Sequence, residues 1–209
     1  MSLQPFSLLR RTRRASRGFT LIELMVVVVI VGITAALTMP VTTEQMRQRR
    51  ARDTAQQVAR FYNTARMRAL GRGAAVLVQF NPTTGLRMIE SIEGPTAALA
   101  HKNEFCATQP GSGCLANNWT AGSTTIRQVT TLPPPTDLKL VAYAQDGITV
   151  QPFMDVCFTP LGRSFLSFDG AAPTQAMVGA TKIDVLRQNG GGYGYAVAIL
   201  PSGMARVGL

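Results

Sequence analysis

The chain has 209 residues, with 21 Lys and Arg against 11 Asp and Glu, so its formal net charge is +10 with its single His neutral. That length allows one domain of ordinary size and leaves little room for two catalytic domains. At 46% hydrophobic and 15% charged residues, the composition excludes wholesale disorder and carries more apolar side chain than a soluble surface needs.

The charge is unevenly placed. Arg10, Arg11, Arg13, Arg14 and Arg17 supply half of the excess before residue 18, with no acidic residue among them. The basic balance is therefore weak evidence for nucleic-acid binding, because a leader of this kind serves topology. Next comes Gly18-Phe19-Thr20-Leu21-Ile22-Glu23, followed by an apolar run from Leu24 to Met39 broken only by Gly32, Thr34 and Thr38. At about 1.5 Å per residue the run makes about 24 Å of helix, slightly short of a hydrocarbon core. Adding Phe19 to Ile22 closes the gap but takes Glu23 into the apolar zone, where a carboxylate is costly without a partner. No small-residue cleavage site follows the run, which argues against an ordinary signal peptide.

Gly18-Phe19-Thr20-Leu21-Ile22-Glu23-Leu24 closely resembles the class III signal of type IV pilins and type II secretion pseudopilins. The resemblance implies cleavage after Gly18 by the inner-membrane prepilin peptidase and methylation of the new amino terminus on Phe19. It also implies that Phe19 and Glu23 act in assembly, Glu23 as a docking carboxylate rather than a catalytic acid. Its physical logic is that the α-amino cation exposed on Phe19 of one subunit offers Glu23 of another the partner it needs. Pro40 closes the apolar segment and removes one helical hydrogen bond, and Gly32 weakens the helix upstream. We expect the helix to bend or partly unwind between them in a filament.

From Thr43 to Leu70, Met46, Ala55, Val58, Phe61, Ala65 and Leu70 recur near helical spacing. Arg47, Arg49, Arg50, Arg52, Arg60, Arg66 and Arg68 fill much of the remainder, opposed only by Glu44 and Asp53. Most of these arginines read as a solvated face; those from Arg47 to Arg52 sit where lipid phosphates, or acidic groups on neighbouring subunits, would meet them. Gly71 and Gly73 end the helix.

The remainder reads as strands. Ala75 to Phe80 and Leu86 to Ile92 flank a five-residue loop, Asn81 to Gly85. Further strands are expected at Ser123 to Val129, Asp137 to Tyr143, Ile148 to Phe153, Val156 to Phe158, Ser164 to Phe168, Lys182 to Arg187, Tyr193 to Leu200 and Met204 to Val207. The Gly190 to Gly194 run lacks a following Lys-Ser or Lys-Thr and reads as a hairpin turn. The expected fold is α+β and pilin-like, a long N-terminal helix packed on a C-terminal antiparallel β domain. Its parts are a leader at 1–18, a membrane and assembly helix at 19–42, an amphipathic helix at 43–72 and a β-rich domain at 73–209.

Gly94 to Gly122 lacks periodicity and holds Cys106, Cys114 and Trp119. Three single pairings are open to Cys106, Cys114 and Cys157, and spacing does not choose among them. We expect Cys106 with Cys114, which are close enough to staple this excursion on the oxidising side of the membrane. Zinc is a poor alternative, with His101 the only His and no paired ligand spacing. No cofactor is implied. No nucleophile elbow or placed carboxylate pair supports an active site, so the expectation is a protein that is not an enzyme.

Phe158-Thr159-Pro160-Leu161-Gly162 and Gly203-Met204-Ala205-Arg206-Val207 resemble motifs of the GspH/FimT-like group of pseudopilins and minor pilins. That resemblance implies a minor pilin or pseudopilin in a priming or tip complex of a type IV pilus or type II secretion pseudopilus. The implied partners are other major and minor pilins or pseudopilins, the assembly platform, prepilin peptidase and, before assembly, inner-membrane lipid. The implied location is a single pass through the bacterial inner membrane with a periplasmic domain, then the filament. Some FimT-like members bind DNA, and they look to carry Gly-Arg-x-Arg where this chain has Gly203-Met204-Ala205-Arg206, without the first arginine. Arg163, Lys182, Arg187 and Arg206 are the candidate DNA contacts, since phosphate binding needs clustered cations rather than one fixed order.

Overall fold

In the computed structural model the described residues are 18–92, 113–115, 119–120, 123–188 and 194–208, the side chains of 37–42 apart. They divide into two units, one ending at Gln45 and one starting at Met46, each taken by itself. A single helix, α1 (Leu21–Arg72), supplies residues to both.

In the first unit, Thr20 decides where α1 begins. Its carbonyl accepts the amides of Glu23 (3.1 Å) and Leu24 (3.2 Å), and its hydroxyl accepts the Glu23 amide at 3.3 Å. A Thr cap with Glu at the third helical position is the capping-box spacing, so the motif that resembles a processing signal also carries its own helix start. From Leu21 to Ala36 every side chain is exposed, and all but a few are apolar. Such a helix calls for cover by lipid or by other apolar helices. Thr34 returns its hydroxyl to the carbonyls of Ile30 and Val31, both at 3.0 Å, which hides that polar group. Among the described residues no helix is long and apolar enough to cross a membrane. The helix runs on through Gly32 and Pro40 in the single chain, so the expected bend concerns the filament alone. The Pro40 side chain lies outside the described residues.

In the second unit the helix buries Ala51, Ala55, Val58, Ala59, Phe61, Tyr62, Ala65 and Ala69. In this stripe the small residues around the aromatic pair let the backbone approach the sheets closely. Met46 and Leu70, expected on that face, are exposed at its two ends.

Among the described residues eleven strands follow: β1 (Val76–Asn81), β2 (Gly85–Ser91), β3 (Ile126–Leu132), β4 (Leu138–Tyr143), β5 (Val150–Gln151), β6 (Met154–Phe158), β7 (Ser164–Ser167), β8 (Gln175–Ala176), β9 (Thr181–Arg187), β10 (Tyr195–Ile199) and β11 (Ala205–Gly208). They form two antiparallel sheets, ordered β3-β2-β1-β6-β7-β8 and β11-β10-β9-β4-β5. The α1 stripe, Val78, Phe80, Met154 and Val156 of the first sheet, and Ile183, Val185 and Val197 of the second share one core. The architecture is the expected α+β, pilin-like one. Burial of this continuous apolar core supplies most of its driving force.

Three local expectations change. The first hairpin is tighter, because Asn81 pairs with Gly85 across the strands and its side chain accepts the amides of Thr83 (2.8 Å) and Thr84 (3.3 Å). Gly85 adopts φ +85°, and a Cβ there would lie 2.2 Å from the Leu132 carbonyl oxygen, so only glycine fits. The strand expected at Ile148 to Phe153 shrinks to two residues, since Asp146 takes the amides of Ile148 and Thr149, each at 2.9 Å, into a turn. Gln175–Ala176 forms an additional short edge strand too brief to show periodicity. β9 and β10 pair as expected, while Gly190 to Tyr193 lie outside the described residues.

Candidate processing and assembly site

Gly18, Phe19 and Thr20 precede the helix without regular structure and are exposed, Phe19 at 79%. A Cβ built on Gly18 would meet nothing within 4 Å. The 18–19 peptide bond therefore lies in an accessible non-helical stretch that ends at a capped helix, the local form a peptidase needs to take hold of a chain. Glu23 is exposed in the first turn of α1, where a carboxylate is favoured by the unpaired amides of the helix start. The arrangement offers a cleavable bond, a new amino terminus on Phe19 and an acceptor carboxylate one turn on.

The four candidate DNA contacts do not share one face. Register places Lys182 opposite Ala198 and Ala198 opposite Arg206, so Lys182 and Arg206 lie in one row across β9, β10 and β11, about 10 Å apart by strand spacing. Arg187 pairs with buried Leu138 and so faces the opposite side of the sheet. Arg163 closes the β6–β7 turn in the other sheet, its amide bonded to the Thr159 hydroxyl at 3.1 Å. The same face also carries Lys139, which register sets opposite Leu186, four residues or about 13 Å along β9 from Lys182 and so outside that row. Sequence reasoning passed over Lys139 because strand pairing, not spacing, brings it there. The face also holds Asp184, 3.4 Å from the Lys182 ammonium, which itself lies 4.2 Å over the Tyr143 ring.

The two C-terminal motifs meet in space. A Cβ on Gly203 would lie 2.9 Å from the Phe158 ring and 3.0 Å from Arg66 Cδ, and Gly203 adopts φ +77°. The Phe158 ring in turn meets Tyr62 of α1 edge-on, with centroids 6.5 Å apart. Beside them Asn63 clamps the start of β11, donating to the Ala205 carbonyl and accepting its amide, both at 2.9 Å. These motif residues thus lock the β10–β11 turn to the helix. Gly203→Ala is expected to lower unfolding free energy by about 1–2 kcal/mol through backbone strain and crowding, as read by urea denaturation.

The expected Cys106–Cys114 pairing is replaced. Cys114 is joined to Cys157 of β6, with Cα atoms 6.0 Å apart, and Cys106 lies outside the described residues, as does His101. The reason is the far face of the first sheet, where Cys157 stands among Ala75, Leu77 and Ile89 and needs apolar cover. Cys114 and Trp119 supply it, with the indole N–H of Trp119 donating to the Cys114 carbonyl at 2.9 Å.

On that same face a polar chain crosses three strands. Arg87 donates to Gln79 (2.7 and 3.2 Å), and Gln79 donates to the buried Asp155 carboxylate at 3.2 Å. Burial pushes the Asp155 carboxyl up to about 6, held back by the Gln79 hydrogen bond and the Arg87 charge, and pushed further by Asp169. Since the folded value lies above the unfolded value of about 4, the contribution of this group to stability is most favourable below pH ~4 and is lost as pH rises through 6. Asp155→Asn is expected to add about 2 kcal/mol at pH 7 and to flatten stability between pH ~4 and ~6, checked by denaturation at stepped pH.

Residues 13–39 match the family model of the prokaryotic N-terminal methylation motif. The matched span holds the end of the basic leader, Gly18, Phe19, Glu23 and the apolar segment. It is a type IV pilin-like prepilin signal, the substrate pattern of a prepilin peptidase, and it marks a pilin-type precursor directed to the inner membrane. No solved structure matches the chain significantly.

Proposed function

We propose that the chain is a minor pilin or pseudopilin of the GspH/FimT-like group. Prepilin peptidase cleaves it after Gly18, Phe19 is methylated, and its helix spans the inner membrane once before entering a filament. The observation that supports this most is the methylation motif on an accessible, Thr20-capped helix start followed by an apolar helix exposed on all sides. In the filament Glu23 pairs with the Phe19 amino group of a neighbour, and the helix opens between Gly32 and Pro40. The role is structural, not enzymatic, in the priming or tip complex of a type IV pilus or secretion pseudopilus, with pilins, pseudopilins and the assembly platform as partners.

The test is co-expression of the full chain with a prepilin peptidase, followed by intact mass and N-terminal sequencing. The expected product begins at methylated Phe19; Gly18→Leu remains uncut, and Glu23→Ala is cut but absent from sheared filaments. A chain that stays uncut, or is cut elsewhere, overturns the reading.

A second reading, a DNA receptor for natural transformation, is favoured by the placement of Lys139, Lys182 and Arg206 on one face of the sheet and weakened by Asp184 among them. Salt-sensitive binding to duplex DNA, lost when those three cations are neutralised together, distinguishes it.

A further inference from the structure

Arg47, Arg49, Arg50 and Arg52 are all exposed and lie within two turns of α1. At about 100° per residue they fan over about 220° of the helix circumference. The open sector is the one that carries buried Ala51 and Ala55, which face the core. They therefore do not form a stripe, as a helix lying along an acidic partner would require, but a collar around every solvent-facing side of the helix at one level. The level is thin, about 7.5 Å from Arg47 to Arg52 along the axis.

Among the described residues few ion pairs compensate the collar. Among the described ion pairs one involves the collar, Arg50 with Asp137 at 3.6 Å, and both partners are largely exposed. Such a surface pair contributes little. Asp53 lies one turn further on, and Glu44 is the only carboxylate between the apolar segment and the collar.

We infer that this collar binds the phosphates of anionic membrane lipids while the subunit waits in the bilayer, an inference that rests on the membrane reading above. The chain order places the collar just past the apolar run that ends at Met39. With the hydrocarbon core spanned by about 20 residues from Phe19, Arg47 follows about nine residues later in the chain, and a long arginine side chain reaches back toward the headgroups. A headgroup layer surrounds a crossing helix on all sides at one depth, which is the shape of the collar. Guanidinium groups also match phosphate oxygens in a two-pronged geometry. Each basic side chain near an anionic surface adds attraction that salt screens, so the collar would hold the subunit in the bilayer until assembly exchanges lipid for neighbouring subunits.

The test uses the full chain reconstituted in vesicles of phosphatidylcholine with a quarter phosphatidylglycerol, carrying a trace of spin-labelled lipid of either kind. Wild type is compared with the fourfold variant R47Q/R49Q/R50Q/R52Q, which leaves the leader arginines in both. The expected result is a phosphatidylglycerol preference at least about threefold higher in wild type, with the difference vanishing in high salt. Equal preference in the two chains, both resisting alkaline carbonate extraction, overturns the collar and leaves the membrane reading standing. Release of wild type by carbonate overturns both.

Discussion

Glu90→Ala is expected to lower unfolding free energy by about 3–4 kcal/mol, because it removes the carboxylate on which three arginines converge. Glu90 is 1% exposed, on the helix-facing side of β2. It accepts hydrogen bonds from Arg68 Nε at 3.1 Å and Nη2 at 2.8 Å and from Arg127 Nη2 at 3.0 Å, and Arg72 forms an ion pair with its other carboxylate oxygen at 2.5 Å. Arg68 and Arg72 come from the last turns of α1 and Arg127 from β3, so one carboxylate fastens the end of the helix to two strands. The arginines are partly exposed and regain water when it is lost, which keeps the cost in this range. Arg68→Ala alone should cost less, since the other two guanidinium groups still serve the carboxylate.

The pH dependence of this clamp has a definite sign. Burial alone would push the Glu90 carboxyl up, but hydrogen bonds from Arg68 and Arg127 and the charges of Arg68 and Arg72 outweigh it and hold the group below its ordinary value. Its contribution is therefore complete above the unfolded glutamate value of about 4.3 and is lost as pH falls through the lower folded value. Asp155 works in the opposite direction between about pH 4 and 6. The wild-type chain should gain stability as pH falls from about 6 to about 4 and lose it again below about 4. Glu90→Gln should flatten the acidic limb and Asp155→Asn the upper one. A single midpoint shift common to both variants would show that neither group is responsible.

Reduction of Cys114–Cys157 is expected to cost about 4 kcal/mol in the chain-entropy account, given the sequence separation of 43 residues. Cys157→Ala should approach the same loss while avoiding a buried hydroxyl beside Leu77 and Ile89. The reporter is built in, because Trp119 is the only tryptophan and is buried against this bridge. Reductant should shift its emission to the red as Trp119 leaves the sheet, and should lower the urea midpoint measured at other probes. An unchanged Trp119 spectrum would mean that apolar packing, not the bond, holds the segment.

Near its N-terminus the chain determines its own reading from local chemistry. A basic leader, Gly18-Phe19, the Thr20 and Glu23 pair and an apolar run are contiguous, and contiguous residues need no partner to state a helix start or a demand for apolar cover. Most strands were legible for the same reason, as alternation and turn residues are local signals. Ile148 to Phe153 misled because a single Asp146 side chain diverts the backbone, and hydropathy does not register a side-chain hydrogen bond.

What required tertiary structure is whatever depends on pairing across distance. Cys106 was the expected partner of Cys114 as a staple for its own loop, whereas the apolar far face of a distant strand selected Cys157. The Glu90 clamp joins residues from α1, β2 and β3, three segments far apart in the chain, so nothing local in the sequence announces it. The candidate cations separated for the same reason: a strand shows its alternation in sequence, but only register decides which strand, and which face, lies beside it.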